Sequence, residues 1–121
     1  MFGSKKHAKL EVIIGNETVS RGEIVSKGTL RIDGRFEGTM AADSVIVGAE
    51  GCILGDIKSR TLIAAGRITG NVHSSESVEI QPKGEICGDI YTQRLTVADG
   101  GVFEGRSYMQ KNREPEKETE E

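Results

Sequence analysis

A chain of 121 residues is long enough for one hydrophobic core and too short for two. Sixteen Gly, no Trp and only 4% aromatic residues point to a core of small aliphatics with backbone packed on backbone, while a net charge of -3 and a pI near 5.5 exclude a general nucleic-acid binder, which carries a basic face. No stretch approaches the roughly 18 apolar residues of a spanning helix, no apolar signal segment is present, and two Cys suit a reducing cytoplasm.

Residues 1–11 come first and read as a flexible basic arm. Lys5, Lys6 and Lys9 stand among the first ten residues with no acid, a local charge of +3. An apolar Met1-Phe2 tip followed by lysines is the composition of a weak peripheral membrane anchor: Phe2 inserts, and the lysines are drawn to anionic lipid at roughly 1 kcal/mol each. Met1, Phe2, Lys5, Lys6 and Lys9 are therefore the expected membrane-binding residues.

Residues 12–106 carry an internal repeat, and a repeat of this length decides the architecture. Gly-x-apolar-x-Gly occurs as GRFEG, GCILG, GRITG, GEICG and GVFEG, with a degenerate first copy, TVSRG. The closing glycines, Gly22, Gly38, Gly55, Gly70, Gly88 and Gly105, lie 15 to 18 residues apart. Two residues before them stand Phe36, Ile53, Ile68, Ile86 and Phe103, with Ser20 the exception. Two residues after them stand Ile24, Met40, Ile57, Val72 and Ile90. Polar residues fill most positions between, so each copy alternates with period two like a strand with one dry face. An earlier apolar pair repeats the pattern, from Val12/Ile14 and Leu30/Ile32 to Leu95/Val97.

No single copy can bury its apolar face, because one or two strands have nothing to pack against. If each copy makes one turn of a coil, equivalent residues stack at about 4.8 Å and every column becomes an interior ladder. The fold expected is all-β: one parallel β-helix of about six coils, roughly 25 to 30 Å long by that spacing. The predicted ladder is Phe36, Ile53, Ile68 and Ile86 in one column and Ile24, Met40, Ile57, Val72 and Ile90 in the other. The first apolar residue precedes the glycine by ten in coils 1, 3, 5 and 6 and by eight in coils 2 and 4. Two-residue insertions at a corner disagree with left-handed hexapeptide solenoids and suit a right-handed coil with uneven turns.

Residues 107–121 read as a disordered charged tail, since the last nine contain no apolar side chain. Neither end of the predicted rod has an evident polar cap. Val12, Ile13 and Ile14 at one end and Val102, Phe103, Tyr108 and Met109 at the other stay apolar, and uncapped solenoid ends expose strand edges that favour end-to-end association. Val12, Ile14, Val102 and Phe103 are the candidate polymer interface.

The repeats RIDGRFEG, GCILGDI, GRITGNV and GEICGDI, with the terminal LTVADGGVFEGR, resemble the bactofilins, bacterial cytoskeletal proteins with a right-handed β-helical core. The resemblance covers about residues 11 to 106, and MFGSKK resembles that family's membrane-binding N-terminus. It implies self-assembly without nucleotide into non-polar filaments that sit on the inner face of the cytoplasmic membrane and scaffold cell-wall or cell-shape enzymes. Which enzymes or envelope proteins are recruited, through the tail or otherwise, is not specified by it.

Catalytic chemistry is not indicated. His7 falls on the arm and His73 at a coil corner, so they cannot share a site. Cys52 and Cys87 sit two coils apart, about 9.6 Å, beyond the roughly 7 Å Cα limit of a disulfide, and both read as packing residues, with Cys87 outward. Asp56 and Asp89 share a column two coils apart and read as solubilising residues. No GxGxxG or GxxxxGK[ST] occurs, so no nucleotide, cofactor or metal is expected, and the glycines serve corners. A small solenoid acyltransferase, with His73 as the sole candidate base, and a non-polymeric adaptor that binds peptides along one face are the alternatives to a polymer.

Overall fold

The computed structural model describes residues 10–109, and every regular element among them is a strand. Ten strands follow in order: β1 (Leu10–Ile14), β2 (Val19–Val25), β3 (Thr29–Ile32), β4 (Arg35–Ala41), β5 (Ser44–Val47), β6 (Cys52–Ala64), β7 (Arg67–Thr69), β8 (Val72–Ile80), β9 (Glu85–Val97) and β10 (Val102–Met109). All pairings are parallel, as coils that advance in one direction require. The protein is a parallel β-solenoid of about six turns.

Each turn has three faces. The first is formed by β1, β3, β5 and then residues 61–64, 77–80 and 94–97, with Leu30 beside Val45 and Val45 beside Leu62. The second and third faces lie on either side of the corner glycines, which are themselves in register, Gly22 beside Gly38, Gly38 beside Gly55 and Gly88 beside Gly105. These glycines have φ between 123° and 145°, a region closed to other residues, and the bend they make turns one strand from the second face to the third.

The inward columns form one continuous core. Phe36, Ile53, Ile68 and Ile86 are buried, as are Met40, Ile57, Val72 and Ile90, while Ile24 in the first coil is half-buried against them. Ile24 is less covered because its coil has a neighbour on one side only and Ser20 stands where its neighbours hold Phe36 and Ile53. Hydroxyl pairs close the corners next to the core: Ser59 with Ser74 at 2.9 Å and Ser44 with Thr61 at 2.9 Å. Ser74 and Thr92 are buried, and a buried hydroxyl is costly unless it is hydrogen-bonded.

The two-residue insertions occupy the corner between the first and second faces. In coils 1, 3, 5 and 6 that corner is a tight turn, closed by N–H to carbonyl bonds from Thr18 to Gly15, Gly51 to Gly48, Gly84 to Gln81 and Gly101 to Ala98 at 2.8 to 3.1 Å. The turn lets extra residues bulge outward without disturbing the stacked strands. The final strand runs to Met109, so Ser107, Tyr108 and Met109 extend the solenoid past residue 106 by pairing with Ile90, Tyr91 and Thr92.

Candidate assembly interface

The ends of the solenoid are built from strands with a neighbour on one side only. Among the described residues, β1 pairs with β3 alone and β2 with β4 alone, and at the other end β10 and residues 94–97 pair only with the coil beneath. Their outer N–H and C=O groups face away from the molecule, ready to pair with another strand.

Exposure of large apolar side chains follows the same two coils. Among the described residues, the exposed large apolar side chains are Ile13, Val19 and Val25 in the first coil and Val97, Val102, Tyr108 and Met109 in the last. Val25 is 72% exposed, and Ile13 and Val19 are each 59% exposed. The outward column that begins with Val19 and ends with Val102 holds Arg35, Cys52, Arg67 and Glu85 in between. Charge in the middle and valine at both tips is the reverse of what a capped, monomeric rod needs.

The residues expected at the interface divide. Val102 is exposed. Phe103 is half-buried, paired with Ile86 and packed against the core. Ile14 is buried at 6% exposure and belongs to the core cluster. Val12 pairs its backbone with Leu30, and its side chain lies outside the described part. Sequence reasoning misses Val19, Val25 and Val97. The signal that finds the first two is the pair of outward columns three residues before and after each corner glycine, where valine stands only at a tip.

Met1, Phe2, Lys5, Lys6, Lys9 and His7 lie outside the described residues. Among those described, no helix is long and apolar enough to cross a membrane.

Charged side chains form exposed pairs along the rod. Glu37 takes hydrogen bonds from Arg21 at 3.0 Å and Arg35 at 3.1 Å, and these, Arg21 first, hold its carboxyl below the usual range. Arg60 bridges Asp43 and Glu76, at 2.9 and 3.0 Å, and its hydrogen bond lowers the Asp43 pKa. Such exposed pairs add little stability individually.

His73 stacks flat on Tyr91 with ring centroids 4.5 Å apart, and Tyr91 stacks on Tyr108 at 4.7 Å. The three rings occupy one outward column of successive coils, so their spacing is that of the strands. His73 also lines two open depressions, one of about 520 Å³ with Asp43, Arg60 and Tyr91 and one of about 370 Å³ with Glu23, Asp56 and Lys58. Cys52 and Cys87 are both free and half-buried. The Cys87 thiol donates to Glu85 at 3.4 Å and Glu104 at 3.8 Å, and desolvation, with those carboxylates, pushes its pKa up. Ligand atoms of Glu85, Cys87 and Glu104 lie within 4.8 Å of one another.

Comparison with known proteins agrees with this architecture. The family model described as "Bactofilin: Polymer-forming cytoskeletal" matches residues 12–108. Bactofilin BacO of Myxococcus xanthus (strain DK1622) is 35% identical over 94 residues, which span 77% of this chain and 75% of that protein. No solved structure matches the chain significantly. The repeat, the parallel solenoid that it forms and these two matches place the chain in the bactofilin family of polymer-forming cytoskeletal proteins.

Proposed function

We propose that the protein polymerises end to end, without nucleotide, into non-polar filaments that lie on the inner face of the cytoplasmic membrane and scaffold cell-wall or cell-shape enzymes. The observation that carries the assembly is the confinement of exposed apolar side chains and unpaired strand edges to the first and last coils. Stacking a second copy on either end would pair those edges and cover Val19, Val25, Val102 and Tyr108. An interface that repeats at both ends builds an open polymer.

Electron microscopy and sedimentation of purified protein without nucleotide test this reading. Wild-type protein is expected to form filaments, and Phe103→Arg to give folded, unpolymerised subunits. A charge in the terminal coil would be buried at the joint, where an aromatic otherwise contributes about 2 kcal/mol or more. Unchanged filaments from the Phe103→Arg protein would remove the terminal coil from the interface.

Membrane attachment rests on the composition of residues 1–11. A single arm with three lysines and one Phe would bind anionic vesicles at about millimolar strength. A filament presents many arms at fixed spacing, so weak contacts add up to stable attachment. Phe2→Ala and the double change Lys5→Ser, Lys6→Ser should each release filaments from anionic vesicles, and the unpolymerised Phe103→Arg protein should co-sediment poorly despite its intact arm. Equal binding by that monomer and by wild type would refute the avidity mechanism.

A further inference from the structure

The terminal coils differ from the interior ones in the charges beside the corner glycine. The first coil reads Arg21-Gly22-Glu23 and the last Glu104-Gly105-Arg106, whereas none of the four interior coils sets an acid and a base across its glycine. One step further out on the same outward rows stand Val19 and Val25 at one end and Val102 and Tyr108 at the other, all exposed. Each end therefore presents the outward order apolar, charge, glycine, opposite charge, apolar.

That order is self-complementary. When like ends meet, the facing strands run antiparallel, and in a pair centred on Gly105 each residue faces its mirror position on the second copy. Glu104 then faces Arg106, and Val102 faces Tyr108. Around Gly22, Arg21 faces Glu23 and Val19 faces Val25. A slip of two residues along the strand instead opposes Arg106 to Arg106, or Glu104 to Glu104, and a slip of one turns the strand inside out.

These charges are also available in the subunit. Glu104, Glu23 and Arg106 form no ion pair among the described residues; Arg106 reaches only the Tyr108 hydroxyl, at 3.4 Å. Arg21 holds Glu37 with one edge, yet its side chain remains 74% exposed.

We propose that Arg21/Glu23 and Glu104/Arg106 are register keys, through which each end of the solenoid recognises the same end of a second copy. The inference rests on the end-to-end reading above and assigns it a specificity determinant. Across an interface, complementary charges fix register, and like charges set face to face are strongly unfavourable.

The test is the critical concentration for polymerisation of the full chain, measured by sedimentation without nucleotide at low salt. Glu104→Arg alone or Arg106→Glu alone should raise it by roughly tenfold or more, and Glu104→Gln, which removes attraction without adding repulsion, by a few-fold. Glu104→Arg combined with Arg106→Glu keeps the end self-complementary and should restore the wild-type value. All four side chains are exposed, so thermal midpoints should match wild type, which separates a lost key from a lost fold. The proposal is overturned if the single reversals polymerise like wild type, or if the double exchange stays defective and recovers only when Arg21→Glu and Glu23→Arg are added, the result expected when unlike ends meet. Failure of the underlying reading is distinct: wild-type protein would then form no filaments at any concentration.

Discussion

Gly55→Ala is expected to unfold the centre of the solenoid, while the same change at Gly22 leaves a folded protein. Both glycines sit at the same corner, with φ of 145° and 123°, so alanine is strained at either position by about 1–3 kcal/mol. They differ in what lies beyond. A Cβ on Gly55 would overlap the carbonyl oxygen of Gly38, which is backbone locked in the stack, whereas a Cβ on Gly22 would meet nothing within 4 Å. Relief at Gly55 requires two coils to part along the corner, breaking the ladder on both sides. A further loss of about 3 kcal/mol or more would consume much of a stability of roughly 5–15 kcal/mol. Denaturant unfolding of the two variants measures the difference directly. Similar midpoints would mean that the corner column is looser than the stacked glycines indicate. The Gly22 Cβ would also project from the open end, so the Gly22→Ala protein should be folded yet slow to assemble.

Ile68→Asp should be at least as damaging. Ile68 is fully buried and lies in register between Ile53 and Ile86, so a carboxylate there has apolar side chains above and below it. Burying it without a partner costs several kcal/mol, comparable to the whole stability of the domain, whereas Ile68→Val should cost only about 0.5–1.5 kcal/mol. The sign of the pH dependence follows from burial. Desolvation raises the pKa of the introduced acid in the folded state above its unfolded value near 3.9, so the destabilisation is smallest below that value and grows as pH rises through it. Circular dichroism of the variant should show the β signal lost at neutral pH. A folded variant with an unaltered thermal midpoint would place the column on the outside.

Both predictions use features that are local in sequence. Alternation with period two and the recurrence of Gly-x-apolar-x-Gly make Ile53, Ile68 and Ile86 equivalent by position within the repeat, because a column of equal residues can be buried only by stacking its copies. The shift of two residues between coils likewise marks a corner, since extra residues inside a strand would disturb which side chains face the core. The Gly48 to Gly51 turn and its three equivalents take up those residues.

The assembly surface is less accessible to such reasoning. Ile14 and Phe103 look like ends of the core from their position in the chain, and both pack with it, Ile14 buried and Phe103 half-buried. The outward tips, Val19 and Val25, are exposed apolar sites on a strand that, among the described residues, pairs with β4 alone, a property of neighbours in space. The His73, Tyr91 and Tyr108 stack has the same origin: the three residues are 17 to 18 positions apart in the chain and touch only because each coil closes in register.

The amino-acid sequence by itself determined the repeat, the strand periodicity, the corner glycines and the inward columns, since each depends on the residue type at a fixed offset within one coil. Only the tertiary structure decided which apolar residues are covered, which charges are paired and which rings stack. Those properties are set by the coil above and the coil below, and at the two ends one of these is missing.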